Sequence, residues 1–119
     1  MEKQKAEENL IVKLTFEFAS DIMGYCELLE EMKKFEIMKQ LFRSGTVIGA
    51  MVREAQNAES KADFIHKMKI AAKEGDETEY WLLLCQRKTS YPDPNSLLEK
   101  LEVINKVIAK IISTSKKGS

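Results

Sequence analysis

The sequence predicts an all-α protein, an antiparallel four-helix bundle with up-down-up-down topology. The composition favours helix, since the 119 residues include only five Gly and two Pro. Apolar residues recur at steps of three and four in four separate stretches, which is the helical period. Short polar segments join these stretches, and helices with short connectors pack most simply in alternating directions. We expect residues 1–119 to form a single domain.

The first apolar stripe predicts a helix over residues 9–33, preceded by a frayed lead-in over residues 1–8. The stripe consists of Leu10, Ile11, Leu14, Phe18, Ile22, Tyr25, Leu28, Leu29 and Met32. Phe16 and Met23 lie off this stripe and suggest a second apolar face. A turn is expected near residues 33–36.

The second helix is predicted over residues 36–57. Its stripe consists of Ile37, Leu41, Gly45, Ile48, Val52 and Ala55. Gly45 and Gly49 form a small-x-x-x-small pair, although each Gly costs a helix about 1 kcal/mol relative to Ala. That cost is easier to understand if the pair lets a neighbouring backbone approach closely. A tight crossing in an ordinary bundle is therefore preferred to a binding role.

The third helix is predicted over residues 60–89, with Ser60 as N-cap and Asp63 as the capping-box partner. Its stripe consists of Phe64, Met68, Ala71, Gly75, Thr78, Leu82 and Cys85. This stripe carries small residues in its middle, as the second helix does. We expect the small residues of the two helices to face each other and to set the distance between them.

The fourth helix is predicted over residues 94–114, with Asp93 as N-cap and Pro94 at the first helical position. Its stripe consists of Leu97, Leu101, Ile104, Ile108 and Ile111, and its apolar surface is widened by Leu98, Val103, Val107 and Ile112. Because a bundle needs only one buried face per helix, the excess predicts a subunit interface. Residues 113–119 are expected to be disordered.

Charge and cysteine content restrict the class of protein. The 19 basic residues balance the 19 acidic ones, whereas nucleic-acid binders usually show a basic excess. No apolar run approaches the roughly 18 residues of a membrane span. Cys26 and Cys85 both fall in helical patterns and are interpreted as buried free thiols. We expect a soluble, cytoplasmic protein with no membrane association.

Candidate chemistry is sparse. His66 is the single histidine, and Asp63-x-x-His66 is far from the two Glu-x-x-His pairs of a di-iron bundle. Cys85 has no His on its helix face and lies on the core stripe, so it is a poor nucleophile. We therefore predict no catalytic residue, no metal ligand and no cofactor.

An acidic group lies around the middle of the predicted bundle. Its members are Glu54, Glu74, Asp76, Glu77 and Glu79. They could act as general acid and base. Pairing with Arg43, Arg53, Lys69 or Lys73, or exposure to water, is the preferred interpretation. A basic edge on the third helix, formed by Lys67, Lys69, Lys73, Arg87 and Lys88, is interpreted as a solvated face.

A set of spaced residues between positions 41 and 82 carries a family resemblance. The set comprises Arg43, Ser44, Gly45, Gly49, Ala50, Glu54, Ala55, Ser60, Lys61, Ala62, Asp63, Phe64, Lys73, Glu74, Glu77, Tyr80, Trp81 and Leu82. With these residues the chain resembles the bacterial four-helix-bundle proteins encoded in intervening sequences of 23S rRNA genes. It is also similar to the accessory variability protein of diversity-generating retroelements.

The resemblance implies an antiparallel four-helix bundle that assembles as a homopentamer and has no known enzymatic activity. It implies bundle and assembly roles for the matched residues. The first functional hypothesis is a non-enzymatic, oligomeric scaffold or interaction protein. The alternative is a nucleic-acid-associated accessory protein, as the retroelement relatives are, although those relatives are strongly basic and this chain is neutral. An enzyme using the acidic group is the third hypothesis.

Overall fold

The computed structural model describes residues 2–118, which form four α-helices. They are α1 (Glu2–Glu31), α2 (Phe35–Ala55), α3 (Lys61–Gln86) and α4 (Asn95–Lys117). Each helix packs against its two neighbours in a closed square, and within the described residues no diagonal pair brings its Cα atoms within 8 Å. The bundle measures 49 × 22 × 19 Å. The predicted all-α four-helix bundle is confirmed.

The predicted stripes form the core. The largest fully buried side chains are Ile11, Phe18, Ile22, Leu29, Leu41, Ile48, Met68, Leu82, Leu101, Ile104, Ile108 and Ile111. All of them belong to the four stripes. Leu10 and Leu28, which were included in the first stripe, are instead nearly half exposed beside their buried neighbours Ile11 and Leu29. The three-four period therefore locates the buried face of each helix to within one residue.

Both ends of the chain are more helical than the sequence predicts. Helix α1 begins at Glu2 and α4 continues to Lys117, so the predicted frayed and disordered segments are wrong within residues 2–118. These two ends lie side by side: Gln4 Nε2 donates to Ser115 Oγ at 3.0 Å, and Ser115 is buried. Met1 and Ser119 lie outside the described residues. Mutual packing stabilises turns whose polar composition alone suggests fraying.

A lysine ends α1 in a left-handed conformation. Lys33 has φ 60°, and its N–H donates to the Glu30 carbonyl at 2.9 Å. The N–H of Lys34 donates to the Leu29 carbonyl at 2.9 Å. These are the two hydrogen bonds of a Schellman motif, in which Gly usually occupies the left-handed position. The predicted turn is present, and α1 ends at Glu31, before residue 33.

The corner between α2 and α3 has the predicted cap. Ser60 Oγ accepts a hydrogen bond from the Asp63 N–H at 3.0 Å. The Asp63 carboxylate accepts from the Glu59 N–H at 3.2 Å, one residue before the position that a capping box normally serves. The helices are shorter than predicted here: α2 ends at Ala55 and α3 begins at Lys61.

The start of α4 differs from the prediction by one residue. Pro94 occupies the N-cap position, and α4 begins at Asn95, not at Pro94. Asp93 Oδ1 still accepts a hydrogen bond from the Asn95 N–H at 2.9 Å. Asp93 thus accepts a hydrogen bond from a free N–H of the first turn, as predicted, although it precedes the N-cap residue by one position. Helix α3 ends at Gln86, before the predicted residue 89.

The glycines do not lie between α2 and α3, so the prediction that small residues of these helices face each other is wrong for Gly45, Gly49 and Gly75. A Cβ added to Gly45 would lie 2.8 Å from Ile22 Cγ1, and one added to Gly49 would lie 3.1 Å from the Thr15 carbonyl oxygen, both on α1. Gly75 faces Asn105 on α4. The two α2 glycines therefore set the α1–α2 distance, because they lie on the side of α2 that is turned towards α1.

The apolar excess of α4 is mostly used within the chain. Leu98, Val107 and Ile112 are half-buried and pack against the core, whereas Val103 is 51% exposed. Three of the four residues that suggested a subunit interface on α4 are thus covered by the bundle itself. Separately, no helix within residues 2–118 combines the length and the apolar character that a membrane crossing requires.

Candidate functional site

Polar side chains of α2 and α3 meet halfway along their shared seam. We call Arg43, Ser44, Glu74, Glu77, Thr78 and Trp81 the α2–α3 polar cluster. Arg43, from α2, pairs with two carboxylates one turn apart on α3: its Nη1 lies 3.0 Å from Glu74 Oε1, and its Nη2 pairs with Glu77 Oε2. Residues three apart share a helix face, so one guanidinium reaches both carboxylates.

A buried hydroxyl pair lies beneath this ion pair. Ser44 and Thr78 have no exposed surface, and their hydroxyl oxygens are hydrogen-bonded across the seam at 2.9 Å. Thr78 Oγ1 also bonds the Glu74 carbonyl oxygen at 2.7 Å. Buried hydroxyl groups need such partners. The small side chains that were expected between these helices are therefore a serine and a threonine.

The indole of Trp81 completes the cluster. Its Nε1–H donates to Glu77 Oε2 at 3.0 Å, so this carboxylate accepts from both an indole and a guanidinium. The Tyr80 ring packs edge-on against Trp81, with centroids 5.1 Å apart and planes at 68°. Tyr80 itself is 56% exposed. Trp81 is half-buried against the core, and its polar edge faces the surface carboxylate.

The electrostatics of the cluster favour permanent ionisation. The hydrogen bond from Trp81, followed by that from Arg43, lowers the pKa of Glu77. The hydrogen bonds to Glu77 and Glu74 raise the pKa of Arg43. A carboxylic acid that transfers protons near neutral pH needs a raised pKa. This arrangement therefore suits an ion pair that joins two helices, as the sequence suggested for Glu74 and Glu77.

A second group of predicted residues lies at the α2–α3 corner. Lys67 Nζ is 3.6 Å from Glu54 Oε1 and 3.8 Å from Asp63 Oδ1, so it joins the end of α2 to the first turn of α3. Phe64 is half-buried against the core beside the Ser60 cap. Sequence reasoning assigned Lys67 to a solvated face and missed this bridging position.

The remaining predicted residues lie in the core or in helix–helix contacts. Ala55 and Leu82 are buried in the core, and Gly45 and Gly49 contact α1. The predicted set thus divides into the polar cluster, the corner and the α1–α2 contact, and the structure does not bring it together as one site. The two other acids of the predicted group, Asp76 and Glu79, are exposed.

The thiols lie in the core, as predicted, and burial makes them poor nucleophiles. Burial raises the pKa of Cys26 to about 11, and burial also raises the pKa of Cys85. The reactive form of cysteine is the thiolate, which these shifts disfavour. His66 is exposed. Within residues 2–118, no three His, Cys, Asp or Glu residues are grouped closely enough to hold a metal ion.

One feature escaped the sequence interpretation, and a second, the off-stripe position of Phe16, was noted but was not chosen as the interaction surface. The Tyr25 hydroxyl donates to the Pro92 carbonyl at 2.6 Å, which fixes the α3–α4 connection against α1. The Tyr91-Pro92-Asp93-Pro94 break signalled a loop but not its anchor. Phe16 is 69% exposed, more than any other large apolar side chain described. The signal in the sequence was that Phe16 lies off the stripe of the first helix. It indicated exposed apolar surface on α1, whereas the sequence interpretation expected a subunit interface on α4.

Fold and contacts together define an all-helical bundle protein whose polar cluster joins its second and third helices. The chain belongs to the 23S rRNA-intervening sequence protein family, whose model matches residues 7–113. This finding confirms the resemblance on which the sequence interpretation relied. The family is of unknown function.

A solved relative supports the same assignment. The chain is similar to a protein of unknown function from the S23 ribosomal protein family of Bacteroides thetaiotaomicron, known from a crystal structure. The two are 43% identical and superpose with a TM-score of 0.84, over 90% of this chain and 98% of the other. No curated protein matches the chain.

Proposed function

We propose that the protein is a non-enzymatic scaffold that works as a homo-oligomer. The observation that carries this proposal is the apolar surface left exposed on α1, where Phe16 projects from the bundle. Val103 on α4 is 51% exposed and lines the same groove as Phe16, and an exposed apolar patch that spans two helices commonly marks an interaction site. Five copies is the number that the resemblance implies. A cytoplasmic location is proposed with it.

The polar cluster supports a structural and not a catalytic role for the acidic group. Arg43 holds Glu74 and Glu77, and Lys67 lies close to Glu54. The Glu74→Gln and Glu77→Gln variants should therefore have a lower free energy of unfolding than the wild type. Neither substitution should change a chemical activity of the protein. A bound metal in the purified protein, lost in these variants without a change in stability, would support the enzyme hypothesis instead.

Solution mass tests the assembly. We expect light scattering on the eluting full-length chain to give a multiple of the 13.6 kDa protomer mass. The result should persist over at least a tenfold dilution range, since obligate assemblies bind tightly. A monomer at every concentration would overturn the proposal. The measurement also gives the number of copies directly.

A nucleic-acid-associated function is the second candidate, and one observation favours it. Lys69 on α3 and Lys116 on α4 approach each other closely enough that Lys116 lowers the pKa of Lys69, with a smaller contribution from Lys73. Within residues 2–118, none of these lysines has a carboxylate within ion-pair distance. Neighbouring unpaired ammonium groups favour a bound anion such as a phosphate.

Salt dependence distinguishes this candidate. Binding of labelled RNA and DNA should weaken steeply between about 50 and 200 mM salt if lysines contact phosphates. The variant Lys69→Gln/Lys116→Gln should then bind less tightly and show a shallower salt dependence. Lys39→Gln, an exposed lysine change on α2, is the matched control. Absence of binding at low salt would exclude the candidate.

A further inference from the structure

A polar cleft lies at the end of the bundle where α1 and α3 begin and α4 ends, and we call it the terminal cleft. Its volume is about 390 Å³, near the lower end of the range of about 300–1,000 Å³ that is typical of small-molecule sites. Phe16 does not line it. The lining residues that matter here are Gln4 and Glu8 of α1, Lys61 and Phe64 of α3, and Thr114 and Ser115 of α4.

Two opposite charges line the terminal cleft without pairing. Among the described residues, neither the Glu8 carboxylate nor the Lys61 ammonium group has an opposite charge within ion-pair distance. Glu7, the neighbour of Glu8, differs, since Lys110 Nζ lies 3.2 Å from its Oε2. Glu8 is partly buried, and this burial raises its pKa. Glu8 therefore loses hydration without gaining a counter-charge from the chain.

The helix ends at the terminal cleft separate charge in the same way. Lys61 is the first residue of α3, and the positive end of a helix dipole favours an anion. Thr114 and Ser115 belong to the last turns of α4, where carbonyl groups lack helical partners and favour a cation. Gln4 Nε2 donates one of its two protons to Ser115 Oγ, and the Ser115 hydroxyl keeps its own proton for donation. The cleft thus adds neutral hydrogen-bonding groups to its two charges.

An aromatic side chain lines the terminal cleft beside these polar groups. Phe64 is half-buried and packs against the core, and it also lines the cleft. Covering apolar surface is favourable, so this ring favours a ligand that carries a hydrocarbon group. The cleft therefore presents a cation, a carboxylate and an aromatic ring to one small ligand.

We propose that the terminal cleft binds an α-amino acid with an apolar side chain. The ligand carboxylate pairs with Lys61, the ligand ammonium group pairs with Glu8, and the hydrocarbon side chain covers Phe64. A ligand whose own net charge is zero thus neutralises both charges of the cleft. This binding function goes beyond the proposed scaffold and does not depend on the number of copies in the assembly.

Other small ligands satisfy fewer of these groups. A phosphate would pair with Lys61 but would be repelled by Glu8, and a simple amine would leave Lys61 unpaired. A neutral ligand would leave both charges unpaired. A metal ion would find one carboxylate in the cleft, and the described residues hold no group of three His, Cys, Asp or Glu side chains that could bind it. A zwitterion satisfies both charges at once.

The first arm of the test compares ligands that share one hydrocarbon group. L-Leucine carries both charges, isocaproate lacks the ammonium group, and isopentylamine lacks the carboxylate. Isothermal titration calorimetry on the full chain should show that L-leucine binds at least about tenfold more tightly than either analogue, because each analogue leaves one charge of the cleft unpaired. L-Methionine and L-phenylalanine extend the comparison to other apolar side chains. If none of the three amino acids binds at millimolar concentration, the proposal is overturned.

The second arm assigns each ligand charge to its residue. Glu8→Gln should remove the preference for L-leucine over isocaproate, and Lys61→Gln should remove the preference over isopentylamine. Glu7→Gln and Lys39→Gln are the matched controls, because Glu7 pairs with Lys110, Lys39 is exposed on α2, and neither lines the cleft. Both controls should keep both preferences. Circular dichroism verifies that all four variants remain folded.

Each contrary outcome refutes a different part of the proposal. Equal affinity for L-leucine and isocaproate would mean that Glu8 does not pair with an ammonium group, and the ligand would not be a zwitterion. Preferences that survive both Glu8→Gln and Lys61→Gln would place the ligand outside the terminal cleft. An equal loss in Glu7→Gln and Glu8→Gln would assign the effect to the overall charge of α1. A monomeric chain that binds L-leucine would overturn the oligomeric function and leave this site standing.

Discussion

Adding one methyl group at Gly45 should reveal how the α1–α2 distance is set. The new Cβ would lie 2.8, 3.0 and 3.1 Å from Ile22 Cγ1, Cγ2 and Cδ1. Carbon atoms pack best at about 3.5–4.0 Å, so all three contacts are too short. Ile22 is fully buried and β-branched, and its χ1 has little freedom to move away.

The magnitude follows from two opposing effects. Overpacking of a core costs about 1–3 kcal/mol. Replacing Gly by Ala within a helix gains about 1 kcal/mol. We therefore expect Gly45→Ala to lower the free energy of unfolding by about 1 kcal/mol. Gly24→Ala is the matched control: it is also within a helix, but its Cβ meets nothing within 4 Å, so it should stabilise by about 1 kcal/mol.

A change of sign in a second background makes the prediction specific. Ile22→Ala removes all three clashing atoms, at a cost of about 2–5 kcal/mol. In that background Gly45→Ala should become stabilising, because its methyl group enters the space that Ile22 left. Urea unfolding followed by circular dichroism, at one fixed protomer concentration, measures all four states of the cycle. If Gly45→Ala stabilised the wild-type background as much as Gly24→Ala does, the argument from close packing would be refuted.

Three further predictions concern the turn after α1 and two residues of α3. Lys33→Gly should raise the free energy of unfolding by about 0.5–1 kcal/mol, measured in urea, because Lys33 occupies a left-handed conformation that favours Gly. Thr78→Val should lower it by about 1–3 kcal/mol in the same assay, because the buried Ser44 hydroxyl loses its partner. The pKa of Glu77 is lowered on folding from its ordinary 4.5, so its stabilising contribution is complete above that pH and is lost as the pH falls through the lower folded value. Glu77→Gln should therefore flatten the fall in urea midpoint between about pH 6 and about pH 3.

Contrary results would be equally specific. An unchanged midpoint in Lys33→Gly would mean that α1 ends differently in solution. If Ser44→Ala/Thr78→Val were no more stable than Thr78→Val alone, the unpaired hydroxyl would not explain the loss. An acid-induced fall in Glu77→Gln as steep as in the wild type would assign the pH dependence to other carboxylates.

The sequence predicted the buried face of each helix well, because burial imposes a three-four spacing of apolar residues along the whole helix, which single exceptions do not obscure. It predicted the ends of the chain poorly. The turn containing Gln4 consists of good helix formers, but neither this turn nor the one containing Ser115 carries the apolar stripe that marks a packed helix. They are helical because the up-down-up-down topology places them side by side, where Gln4 and Ser115 bond each other. That information lies in the pairing of distant segments and not in either segment.

The glycines show a second limit of the same kind. The spacing of Gly45 and Gly49 correctly indicated a close helix approach, but it could not say which helix approaches. Both face α1, while Ser44, one residue before Gly45, faces α3. Successive helical residues are about 100° apart, so neighbouring positions on α2 serve different partners. The matched residues identified the family before the structure did, but only the structure divided them among three contacts.

The polar cluster and the exposed face of α1 differ in how much free energy a covering partner would gain. Each ion pair of the polar cluster is partly exposed and contributes at most about 1 kcal/mol, so the cluster mainly fixes how α2 and α3 meet. Covering one exposed aromatic side chain yields about 1.5–3 kcal/mol. Phe16 is therefore the side chain whose burial by a partner would still gain free energy, whereas the charges near Arg43 are already paired. A partner gains more by binding at α1 than at the polar cluster, although five of the residues that carry the family resemblance belong to that cluster.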